Sequence, residues 1–164
     1  MEWLVVDGAY SIDTQELPDG WAFAPPPPRF DASLGERQIS LAASPTSARD
    51  ARTWVRGLLQ SIDRDRWLDD AEVAITEIVT NACLHARTTL ELRATAYPDH
   101  LTVEVRDYCP TMPSMVVLDL DATCGRGMGL VTSVTVDRGI RNLGEGGKIV
   151  WFSVADARAP ERVG

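Results

Sequence analysis

The sequence is poor in lysine and in usable thiols. Only Lys148 stands among its 16 basic residues, and its three cysteines, Cys83, Cys109 and Cys124, have no Cys-x-x-Cys spacing. An odd, scattered thiol set argues against a disulfide framework and a zinc knot, so the cysteines read as small buried hydrophobes or bystanders. No apolar run reaches the roughly 20 residues a helix needs to cross a bilayer. Met1, Glu2, Trp3 and Leu4 also lack the basic start of a signal peptide. The expectation is a cytoplasmic chain with no membrane partner. Positive charge is short as well: 16 basic against 24 acidic residues give a net charge of -8. Such a field repels phosphate backbones, which argues against direct nucleic-acid binding. There is no internal repeat. What is present is the composition of a folded protein, 45% hydrophobic and 24% charged over 164 residues, enough for one core.

Residues 1–34 read as an arm or linker, because Pro25 to Pro28 favour extended polyproline II. Trp3 to Val6 suit an added strand, and Trp21 and Phe23 suit docking on a surface; periodicity leaves these alternatives open. The periodic domain spans 35–156, and 157–164 is a tail. Ile39 and Leu41 alternate as a short strand, and Ser47 with Asp50 resembles a capping box opening a helix. Ala51, Trp54, Leu58 and Ile62 form its apolar stripe, ending near Asp63. A second helix is expected from Asp69 to Ala86, with core residues Ala71, Ile75, Ile78 and Ala82 and acidic residues at its positive end. Alternation from Leu90 to Ala96 and from Leu101 to Val105, around Pro98-Asp99-His100, predicts an antiparallel hairpin. Thr111 to Cys124 has no period and reads as a functional loop. Gly125 to Gly129 opens a short helix reaching Val134. Two final strands, Val136 to Arg141 and Lys148 to Val154, flank a turn at Gly144-Glu145-Gly146-Gly147.

Three places can carry chemistry. Glu77 and Asn81 lie four apart on the second helix and share one row, which His85 extends by a turn. A carboxylate there can orient or deprotonate a hydroxyl, and an amide oxygen suits Mg2+. The plainer reading is a solvated stripe with His85 complementing the helix end. Asp107 continues the phase of Leu101, Val103 and Val105, so it should lie buried at a strand end and need a donor. An adenine amine would serve in an open pocket; in a closed one Asp107 is an Asx-turn residue. Finally, the main-chain N–H groups of Gly125-Arg126-Gly127-Met128-Gly129 can approach an anion at a helix start, although the run is neither a P-loop nor a dinucleotide fingerprint.

Taken in order, these segments resemble a known family. Glu77-Ile78-Val79-Thr80-Asn81-Ala82 with His85-Ala86, then Val103 to Asp107, then Gly125 to Leu130, then Gly146 to Phe152 are similar to the N, G1, G2 and G3 boxes of the GHKL ATPases. The branch most resembled is the RsbW-type anti-sigma-factor serine kinases, over about Glu36 to Val154. The resemblance implies an α+β fold, a two-layer Bergerat sandwich with helices on one face of a mixed, mainly antiparallel sheet. It implies ATP and Mg2+ as cofactors, with Asn81 on the metal and Glu77 as the catalytic carboxylate. Asp107 would take the adenine amine, Gly125, Arg126, Gly127, Met128, Gly129 and Leu130 would lie along the phosphates, and Thr111 to Cys124 would form the lid. The implied partners are a STAS-domain anti-anti-sigma protein, phosphorylated on serine, and a sigma factor, held inactive; a homodimer is left open.

The sequence departs from the family in two places. After Asp107 it runs Tyr108-Cys109-Pro110-Thr111, where the family has D-x-G-x-G, and Ile149 stands where a threonine is common. A side chain at Cys109 restricts backbone approach to the base, and Ile149 lacks a hydroxyl. The second expectation is therefore a non-catalytic GHKL-fold module that sequesters a sigma factor or STAS-type partner, with weak or lost ATP binding.

Overall fold

In a computed structural model, residues 20–29, 32–109 and 125–156 are described. The chain forms β1 (Gly35–Leu41), α1 (Ser47–Ser61), α2 (Leu68–His85), β2 (Leu90–Ala96), β3 (His100–Asp107), α3 (Gly125–Val134), β4 (Asp137–Asn142) and β5 (Lys148–Ala155). The strands make one sheet in the order β1-β2-β3-β5-β4, and every neighbouring pair is antiparallel. Among the described residues its one parallel contact is the isolated bridge from Phe23 to Ile140, through which the segment before β1 adds to the β4 edge. This is the expected α+β architecture.

The predicted hairpin forms in a register that pairs Leu92 with Val105 and Ala94 with Val103. Cross-strand partners share a face, so Leu90, Leu92, Ala94, Ala96, Leu101, Val103, Phe152 and Val154 form one apolar surface that the helices seal. Burying a side chain of this size stabilises the fold by about 1.5–3 kcal/mol. The helices bring Val55, Leu58, Leu59, Ile75, Ile78 and Val79 to the same core. Trp67, on a 3-10 turn from Asp65 to Trp67, is among its largest fully buried side chains, and its indole N–H donates to Asp156 at 3.2 Å.

Two local expectations shift. The stripe on α1 keeps Ala51 and Leu58 in the core as expected, but its centre is shifted: Val55 and Leu59 are fully buried, while Trp54 and Ile62 only flank the core. The α1–α2 contact sets this rotation, fastened by Arg56 on Glu72 and by Arg52 donating to the Thr76 hydroxyl at 3.0 Å. Nor does Ser47 cap α1. It is the first helical residue, and its hydroxyl donates to the Ala42 carbonyl while accepting the Ser44 N–H, tying the strand exit to the helix.

The polar side of the alternation is buried too. Arg93, Thr95, Thr102, Glu104 and Ser153 occupy the far face of the sheet. Residues 20–29 lie near this side after running along β4, where Ala24 donates to Ile140 and Ile140 donates to Ala22. Trp21 is buried in the core, and the Trp151 indole donates to the Ala24 carbonyl at 2.9 Å.

Candidate functional site

Glu77 and Asn81 are half-buried on α2, whose buried side is formed by Ala71, Ala74, Ile75, Ile78 and Val79. Helical spacing puts Val73, Glu77 and Asn81 in one row, and Val73 is partly exposed. The predicted pairing of a carboxylate and an amide on one accessible row is therefore present. The side chain of His85 lies outside the described residues. Among those described, no three His, Cys, Asp or Glu side chains gather as a metal cluster. A cation here would take one or two protein oxygens and complete its shell from water and phosphate, the habit of Mg2+. The amide oxygen of Asn81 fits that requirement, with Glu77 one turn away on the same row.

Asp107 ends β3 on the helix side of the sheet and is only 2% exposed. Both readings of this residue needed a donor, and the chain supplies two. The Cys109 N–H donates to Oδ1 at 3.1 Å, an Asx turn, and the Lys148 ammonium lies 2.6 Å from Oδ2. Asp107 and Lys148 are direct cross-strand partners, so the sole lysine completes a buried ion pair. The preceding Gly147 makes the approach of the strands possible. It has φ +88°, and a Cβ there would stand 1.9 Å from the Asp107 carbonyl oxygen, so no other residue fits.

Around this corner the Tyr108 N–H donates to the Thr88 hydroxyl at 3.0 Å, the Tyr108 phenol donates to Glu91, and the Arg106 guanidinium lies 4.4 Å above the Tyr108 ring. Burial, reinforced by the Glu91 hydrogen bond, pushes the phenol's pKa up. Sequence reasoning missed Lys148, Tyr108, Thr88 and Glu91. A lone lysine directly after two glycines was the available signal for the first; the others follow from strand register and leave no local trace. Ile149 points to the opposite face, beside Arg106 and Arg141, so its missing hydroxyl does not bear on the Asp107 side.

The glycine run opens α3 at Gly125, as expected. A Cβ on Gly129 would meet nothing within 4 Å, and Leu130 is exposed, so the helix presents an open surface there. The side chains of Arg126 and Met128 and the proposed lid, Thr111 to Cys124, lie outside the described residues. Val131 anchors α3 in the core, and α3 packs against α2, so the α2 row and the glycine opening belong to one helical layer.

Residues 41–154 match the family model of the histidine kinase-like ATPase domain. The chain belongs to this family, of GHKL type, which implies ATP binding. No curated protein matches the chain. Among the described residues, no helix is long and apolar enough to cross a membrane.

Proposed function

We propose that this chain is an ATP-dependent serine kinase of the anti-sigma type, acting on a STAS-domain antagonist and otherwise holding a sigma factor. The observation that carries the catalytic reading is the half-exposed Glu77–Asn81 row on α2, in the same helical layer as the glycine opening of α3. Bound Mg-ATP would supply the phosphoryl group and neutralise its charge, so the protein's task is mainly positioning. Asn81 offers its amide oxygen to the metal. Glu77 accepts the proton of the serine hydroxyl or orients it. The main-chain N–H groups at the start of α3 would hold the phosphates.

Phosphoserine formation on a STAS-domain protein, followed by mass spectrometry, tests this reading. Glu77→Gln should lower the rate roughly 100-fold while leaving Mg-ATP binding nearly intact. Equal rates in parent and variant would remove Glu77 from catalysis.

The engagement of both Asp107 oxygens favours a second reading, the non-catalytic module. Here Lys148 already occupies the acceptor that an adenine amine would use. Calorimetric titration with Mg-ATP separates the two. Binding that strengthens in Lys148→Met supports the nucleotide site, whereas no binding by either protein leaves the module.

A further inference from the structure

The far face of the sheet holds a pocket of about 360 Å³. Pro26, Pro27 and Pro28 stand along it with Ile149 as an apolar wall, and Arg29, Arg93, Arg106 and Arg141 line it with Glu104. Four guanidinium groups against one carboxylate is an unusual lining in a chain whose net charge is -8. The strand register produces it: Arg93 faces Glu104 across β2 and β3, while Arg106 and Arg141 flank Ile149 from either side.

Carboxylates stand near some of these charges. Arg93 is 3% exposed, and its ion pair with Glu36 spans 3.8 Å; Arg29 reaches the same carboxylate at 3.7 Å. Glu91 accepts the Tyr108 hydroxyl. Burial dominates Arg93 and draws its pKa down in spite of Glu104, Glu36 and Glu91. An anion in the pocket would meet guanidinium groups from four segments, with those of Arg29 and Arg141 accessible to it.

Planar guanidinium groups match carboxylate and phosphate oxygens in bidentate geometry. The volume lies at the small end of ligand pockets, and the proline wall suits an apolar body. We propose that this pocket binds a small organic dianion, a phosphate monoester or a dicarboxylate, on the face of the sheet opposite Asp107. The site is separate from the α2–α3 layer and does not depend on the kinase reading.

Calorimetric titration of the full chain with phenyl phosphate and with phthalate tests it, with benzyl alcohol as the uncharged control. Saturable binding of at least one anion and none of the alcohol is expected, and the anion that binds identifies the headgroup. Arg29→Gln with Arg141→Gln should weaken that binding by about tenfold or more, since hydrogen bonds to charged groups are lost. Both substituted residues have accessible side chains, and a thermal melt confirms that the double variant folds. Lys148→Met, on the opposite face, should leave anion affinity unchanged, as should saturating Mg-ATP. No saturable binding of either anion, unchanged affinity in the arginine variant, or displacement by Mg-ATP would each overturn the proposal.

Discussion

The two faces of the sheet are made from alternate residues of the same strands yet meet different surroundings. On the helix side, Leu92, Val103 and Phe152 are fully buried against α1 and α2, and the polar pair at the margin, Asp107 and Lys148, is matched ion to ion. On the far side, Arg93 and Glu104 are nearly as buried, while the proline run borders their pocket. The lesson concerns compensation rather than depth. Asp107 has two short, directed donors, whereas burial outweighs attraction for both members of the Arg93–Glu104 pair, lowering the arginine's pKa and raising the glutamate's.

The strongest way to break this contrast is to empty the helix side. Phe152→Ala should cost about 3–5 kcal/mol in chemical denaturation, since a fully buried aromatic leaves a cavity. A loss below that range would mean the helices do not seal this face. Next, Lys148→Met should cost about 2–3 kcal/mol, somewhat less than breaking a fully buried pair because Lys148 keeps slight exposure. Its combination with Asp107→Leu should cost less than the sum of the singles; additivity would show that the pair is not coupled.

Removing residues 1–29 should cost about 2–3 kcal/mol by the same measurement, through loss of Trp21 burial and of the Trp151 hydrogen bond to Ala24. Unchanged stability would show that the segment does not close the far side. The smallest effect is expected from Glu104→Gln. Burial raises the pKa of Glu104 above its ordinary 4.5, against the pull of Arg93. The folded state therefore holds this proton more tightly, and the contribution to stability is present below the unfolded value and lost as pH rises through the folded one. Denaturation midpoints from pH 4 upward should show that loss in the parent and a flatter profile in Glu104→Gln.

Period and turn chemistry made much of the frame legible. The β2–β3 hairpin, the row of Glu77 and Asn81, and the helix opening at Gly125 follow from spacing within one segment. The rotation of α1 did not, because Trp54 and Val55 both fit an apolar stripe and contact with α2 chose between them. Asp107 illustrates the same boundary at the site. Its burial and its Asx turn with Cys109 followed from local sequence, but its charged partner came from a residue 41 positions away, fixed by the register that sets Asp107 opposite Lys148.

By itself, the sequence determined the element order, the class of fold, the one-sided apolar pattern and the positions of the chemical groups along the chain, because each depends on neighbours within a few turns. Only the tertiary structure decided which charges meet. It joined Lys148 to Asp107 and gathered arginines from three strands and the segment before β1 into one pocket. Electrostatic partners act across ångströms of space, and strand register, which sets those distances, is a property of the assembled sheet.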